Sequence, residues 1–197
     1  MASRWNKLLI FDLDDTLIHA RAPSHAALPW PPQRMIERYR VHIRPGAREL
    51  LAWARVNVEG LGIWTSGNLA YARSMLQALC DPRRLDLLWT REHCEAVAPS
   101  EAGQPYAWNK PLARLLAQGW TRAQILVIDD KPGAVVGGES NVIAMPPFEG
   151  DPADRELVRL RRYLERIAAL PDVSLVDKRA WTSEVVLSRR ELGDIEP

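Results

Sequence analysis

Three short apolar runs, Leu8 to Phe11, Leu61 to Trp64 and Ile125 to Ile128, each stop abruptly at polar or acidic residues. A strand buried on both faces reads as a continuous apolar run rather than an alternating one, and such strands belong to parallel sheets covered by helices. The segments between them carry helical patterns: Ala47 to Val56 behind Pro45-Gly46, Leu69 to Leu79 behind Asn68, and Leu112 to Gln118 behind Pro111. The resulting βαβα order predicts an α/β fold with a central parallel sheet, flanking helices and right-handed crossovers. Asn141 to Met145 is a fourth, weaker strand candidate. Residues 152–170 predict an amphipathic helix, opened by Asp151-Pro152 and ended by Pro171, with Leu157, Leu160, Leu164 and Ile167 on one face.

A length of 197 residues with 47% apolar composition suits one domain, placed at 1–170, followed by an extension at 171–197 that has no strong signal and is expected to be partly disordered. Residues 21–44 and 81–108 are short insertions, too small for a cap domain. Pro23, Pro29, Pro31 and Pro32 favour an extended loop ahead of Tyr39 to Ile43. The formal net charge of +1 supplies no general attraction to nucleic acid or to an anionic membrane. No run is long enough to cross a bilayer, and the N-terminal apolar stretch meets Asp12 too soon for a signal peptide. Two cysteines, Cys80 and Cys94, exclude a disulfide scaffold and suit a reducing compartment, so a cytoplasmic protein is expected.

The chemistry gathers where the strands end, which is where open α/β sheets bind ligands. Asp12 and Asp14 follow the first run. A carboxylate at position 12 can attack phosphorus to form an acyl phosphate, and a second acid two residues on can protonate the leaving oxygen. Taken alone, an acidic turn after a strand accounts equally well for both. Thr65-Ser66-Gly67-Asn68 follows the second run and can donate to a phosphate, although helix capping by Ser66 or Asn68 explains it as simply. Lys110, one of four lysines with Lys7, Lys131 and Lys178, opens the third segment and can neutralise a phosphate. Asp129 and Asp130 close the third run. Four carboxylates around a dianion repel one another by about 4 kcal/mol per pair at 4 Å and an effective dielectric near 20, which calls for a divalent cation; hard oxygen ligands favour Mg²⁺.

In this order and strand context, Asp12-Leu13-Asp14-Asp15-Thr16, Thr65, Lys110 and Asp129-Asp130 resemble the four motifs of the haloacid dehalogenase superfamily. More closely, FDLDDTLIH, VHIRPGARELL, IWTSGNLAYA, LLWTREHC and ILVIDDKP are similar to the small C-terminal-domain phosphatases, also called the NIF or FCP1-like family. The resemblance implies a Rossmann-like, capless fold. It implies that Asp12 is the phosphorylated nucleophile and Asp14 the acid/base, with Thr65 and Lys110 as phosphate ligands. It also assigns Mg²⁺ to Asp130, Asp12 and the Asp14 carbonyl, with Asp129 in support. Family members acting on RNA polymerase tails usually have Asp-Asn where this chain has Asp129-Asp130.

Short insertions imply an open site, which suits phosphoserine or phosphothreonine displayed on a protein or peptide. Tyr71 falls where the family has a tyrosine beside a proline-accepting pocket, and Trp30, Trp89 or Trp108 can add an aromatic wall, whereas Trp53 and Trp64 belong to the core. Two other readings stand beside this one: a phosphatase for a small metabolite or nucleic-acid end, and a catalytically silent binding module. Retention of both Asp12 and Asp14 favours an enzyme.

Overall fold

The computed structural model describes residues 4–98, 107–179 and 181–184. Its frame is a five-stranded parallel sheet built from β1 (Trp5–Phe11), β5 (Val58–Trp64), β6 (Leu87–Trp89), β9 (Ile125–Asp129) and β10 (Val142–Ala144), in the order β10-β9-β1-β5-β6. The period of two along β1 explains its unbroken apolar run. Leu9 and Phe11 enter one buried cluster, while Leu8 and Ile10 enter another on the opposite side. The first cluster is covered by α1 (Ala47–Asn57), α2 (Leu69–Leu76) and α4 (Glu156–Ile167), through Leu50, Leu51, Met75, Leu160 and Tyr163 among others. The second is closed by Leu112, Leu115 of the short α3 (Ala113–Leu116), Val135 and Trp64. Close packing on this side requires Gly62 in β5, where a Cβ would lie 2.7 Å from Ile10 Cδ1.

The expected α/β architecture with a central parallel sheet is therefore present, and three differences have physical causes. First, the 21–44 stretch is more than a loop ahead of a strand. Its strands β3 (Arg34–Ile36) and β4 (Tyr39–Ile43) join β2 (Ile18–Arg21) in an antiparallel sheet of order β2-β4-β3, pairing Ile18 with Ile43 and Arg34 with Val41. The four prolines lie between the paired segments, and strands of three to five residues are too short to show a period. Second, the 81–108 stretch supplies β6, the edge strand of the main sheet, followed by an antiparallel ribbon of β7 (Glu95–Val97) and β8 (Ala107–Asn109).

Third, helix ends move. α2 stops at Leu76 rather than Leu79, α3 is shorter than 112–118, and α4 begins at Glu156 because Asp151 and Asp154 hold the preceding turn, accepting from the Ala153 and Glu156 N–H groups at 2.8 and 2.9 Å. The described part of the extension after Pro171 packs on the domain. Trp181 is buried against Tyr163, and its indole N–H donates to the Ala144 carbonyl at 2.7 Å. Lys178 donates to the Ser140, Val173 and Val176 carbonyls. This part of the tail covers the β10 edge; residues 185–197 lie outside the described ones. Among the described residues, no helix is long and apolar enough to cross a membrane.

Candidate active site

Register sets the centre of the site. Phe11 of β1 pairs with Ile128 of β9, so the residues that follow, Asp12 and Asp129, emerge side by side at the carboxyl ends of adjacent strands. The Asp12 N–H donates to the Ile128 carbonyl at 2.8 Å, which carries the parallel pairing one residue past β1. Lys110 reaches both side chains from the opposite cluster. Its backbone is pinned by two hydrogen bonds, Lys110 N–H to the Ala134 carbonyl at 2.7 Å and Val136 N–H to the Lys110 carbonyl at 3.1 Å. Its ammonium lies 2.5 Å from Asp12 Oδ1 and 2.6 Å from Asp129 Oδ2. All three residues are buried. A buried charge needs such pairing, since desolvation otherwise costs several kcal/mol per ion.

Burial pushes the Asp12 carboxyl up to about 8, opposed by the Lys110 charge and reinforced by Asp129 and Asp14. For Lys110, burial acts downward, but Asp12 and Asp129 outweigh it and hold the ammonium above its ordinary range. Asp130 is raised by burial, with Lys131 pulling the other way. Its carboxylate is fixed by Thr16, whose hydroxyl donates to Asp130 Oδ1 at 3.1 Å and accepts from the Asp130 N–H at 3.2 Å. Thr16 thus ties the turn after β1 to the turn after β9.

Asp12, Asp129 and Asp130 each offer an oxygen, all within 4.8 Å of one another. Three carboxylates against two lysines, Lys110 and Lys131, the latter 3.6 Å from Asp130 Oδ2, leave surplus negative charge, and an all-oxygen donor set fits a hard divalent cation. The Asp14 side chain departs from this cluster. It accepts from the Tyr71 hydroxyl at Oδ1 and from the Thr65 hydroxyl at Oδ2, 3.3 Å away, so any share in a metal site falls to its backbone carbonyl, the atom the family resemblance assigns. Burial raises the Asp14 pKa, and the Tyr71 hydrogen bond is the largest influence against that rise.

The loop after β5 completes the site. Thr65 Oγ1 accepts from the Gly67 N–H at 3.0 Å. Asn68, not Ser66, caps α2 by accepting from the Tyr71 N–H at 2.9 Å. The Ser66 carbonyl accepts from Arg91 Nε at 2.8 Å. Asp14, Tyr39, Ser66, Gly67, Asn68, Tyr71 and Arg91 line an open cleft of about 340 Å³. Tyr71 borders the opening, and its hydroxyl faces the second aspartate.

Among the tryptophans, Trp89 is a core residue, edge-on to the buried Trp64 and stacked on His93. Trp108 lies beneath the Arg91 guanidinium, 5.0 Å from ring centre to Cζ. Arg91 and Tyr39 went unselected in the sequence. Arg91 had the same signal as the other site residues, a position just past a strand, but β6 has only three residues and hid it.

The sequence model of the NLI interacting factor-like phosphatases matches residues 7–174. The chain belongs to this phosphatase family. Two relatives are similar over most of its length, each at 27% identity: an uncharacterized protein of Schizosaccharomyces pombe, over 86% of this chain and 50% of that one, and the CTD nuclear envelope phosphatase 1 homolog of Caenorhabditis elegans, over 88% and 71%. Among solved structures, fission yeast Fcp1-R271A, an RNA polymerase II CTD phosphatase bound to beryllium fluoride, shares the fold with a TM-score of 0.53 at 21% identity, covering 88% of this chain and 58% of that one. A predicted phosphoglycolate phosphatase from Haemophilus somnus 129pt gives 0.50 at 13% identity, covering 73% and 87%. The chain spans half of the S. pombe relative and little more of Fcp1. The fold is shared with these two solved structures, and the Asp12, Asp129 and Lys110 cluster occupies the carboxyl edge of its sheet.

Proposed function

We propose that this member of the NLI interacting factor-like phosphatase family hydrolyses phosphomonoesters through an aspartyl phosphate on Asp12. The observation that carries the reading is the Lys110 ammonium bridging Asp12 and Asp129, with Asp14, which lines the open cleft, accepting from the buried Thr65 hydroxyl. Asp12, held at a fixed strand end, attacks phosphorus. Asp14 gives a proton to the departing oxygen, then takes one from the water that cleaves the acyl phosphate. Lys110 and Thr65, with the Ser66 N–H, hold the phosphate oxygens. Mg²⁺, bound by Asp12, Asp130 and the Asp14 carbonyl with Asp129 in support, would draw charge from the phosphoryl group.

Among the described residues the cleft is open, which favours a phosphate carried on a larger molecule, phosphoserine or phosphothreonine in a protein segment. Similarity to Fcp1, an RNA polymerase II CTD phosphatase, and to the CTD nuclear envelope phosphatase 1 homolog of C. elegans supports a protein substrate. The free thiols of Cys80 and Cys94 fit a reducing, cytoplasmic setting. The direct test is hydrolysis of p-nitrophenyl phosphate by wild type and Asp12→Asn, with Mg²⁺ and with EDTA. Metal-dependent turnover that the variant lacks is expected; equal turnover by both proteins would overturn the reading.

A further inference from the structure

Tyr71 has an unusual position for a residue at the mouth of a substrate cleft. It lies in the first turn of α2, where side chains lean back toward the helix N-terminus and hence toward the strand end. The Asn68 cap fixes its backbone. Its ring stands edge-on to Tyr39 at 5.5 Å, and it lies so close to the loop that a Cβ on Gly67 would come within 2.7 Å of its Cδ1. Glycine at 67 therefore makes room for the ring. With the ring held on both sides, the hydroxyl is committed to Asp14 Oδ1.

We infer that Tyr71 is a positioning residue for the general acid: its hydroxyl occupies Asp14 Oδ1 and leaves Oδ2 as the oxygen that delivers the proton to the leaving group. This rests on the phosphatase reading above and deepens it. The two oxygens of Asp14 are held unequally. Oδ1 takes the phenol hydrogen, whereas Oδ2 has, among the described residues, the longer 3.3 Å approach of the Thr65 hydroxyl, whose oxygen also accepts from the Gly67 N–H at 3.0 Å. In the first displacement the bond from Asp12 to phosphorus forms as the bond to the leaving oxygen breaks. The electron pair of that broken bond stays on the leaving oxygen, which receives the proton from Asp14 Oδ2. Tyr71 gains and loses nothing; it keeps the acid facing the departing group. A wall of a peptide pocket would need only the ring.

The two roles separate by leaving group, because the value of an acid rises with the basicity of the oxygen it protonates. The experiment measures kcat/KM, which reports the steps up to alcohol release, for phosphate esters running from p-nitrophenyl through phenyl to an alkyl ester, in wild type and Tyr71→Phe. The variant keeps the ring and its packing on Tyr39. The expected result is a steeper dependence on leaving-group basicity, with the loss roughly tenfold greater for the alkyl than for the p-nitrophenyl ester. The same substitution placed on Asp14→Asn should add no further steepening. Parallel dependences in wild type and Tyr71→Phe, or equal steepening with and without Asp14, would overturn the assignment while leaving the phosphatase reading intact. A wild type inactive on every ester, with Mg²⁺ present, would overturn both.

Discussion

Lys110 Nζ lies 2.5 Å from Asp12 Oδ1 and holds that carboxylate from the side of the sheet opposite α1, α2 and α4. The same ammonium reaches Asp129 at 2.6 Å, so one cation keeps two buried carboxylates apart. Removing it has two consequences. Lys110→Met is expected to lower kcat by at least about 10²-fold, as loss of a fixed charge at a phosphoryl site does. It should also lower the thermal stability of the metal-free protein, because two buried carboxylates lose their partner. Steady-state kinetics and a melting curve in EDTA check both; an active, equally stable variant would contradict the bridge.

Asp130 is the cluster carboxylate that Thr16 orients, with its hydroxyl 3.1 Å from Oδ1. If Asp12, Asp129 and Asp130 hold the cation, Mg²⁺ should raise the melting temperature of wild type, by an amount equivalent to about 2.7 kcal/mol at a hundredfold excess over Kd. Asp130→Asn should remove most of that shift while leaving the metal-free melt near that of wild type. A full Mg²⁺ shift in the variant would place the metal elsewhere.

Arg44 links the turn after β1 to the entry of α4. Its guanidinium, fully buried, holds Asp154 with two bonds of 3.0 and 2.9 Å and donates to the Thr16 carbonyl at 3.2 Å. Arg44→Met removes one partner of a largely buried pair, and a stability loss of about 3–5 kcal/mol is expected by urea titration. A loss below about 1 kcal/mol would show that the pair contributes little.

His42 is buried in β4 opposite His19, and its Nδ1 lacks a partner among the described residues. Burial lowers its pKa, reinforced by His19, Arg21 and Arg40. The folded state therefore binds the proton less readily than the unfolded chain. The stability that a neutral His42 confers is complete above its ordinary pKa of about 6.5 and is lost as pH falls through and below it. Urea midpoints for wild type and His42→Phe, compared between pH 7.5 and 5, should show a smaller acid-side decline in the variant. An identical decline would exclude His42 as a source of that sensitivity.

Leu8 to Phe11, Leu61 to Trp64 and Ile125 to Ile128 were legible because a doubly buried strand needs apolar residues on both faces, and polar groups can appear only where it ends. The same logic located Asp12, Thr65 and Asp129. Two features defeated it. β6 is three residues long, so neither the fifth strand nor Arg91 just beyond it stood out. The orientation of Asp14 depends on how Tyr71 returns from α2, a three-dimensional relation that spacing in the chain does not encode. Trp181 was likewise invisible as a core residue, since its partners Tyr163 and Ala144 lie in other elements.

The most direct test of the central claim is chemical trapping of the phosphoryl group. Wild-type protein with Mg²⁺ is mixed with a ³²P-labelled phosphoserine peptide, quenched in acid within the first turnover, and mapped by proteolysis. The account predicts a label on the peptide containing Asp12, released by hydroxylamine as an acyl phosphate and absent from Asp12→Asn. Turnover with no label on Asp12, or undiminished turnover by Asp12→Asn, would contradict it.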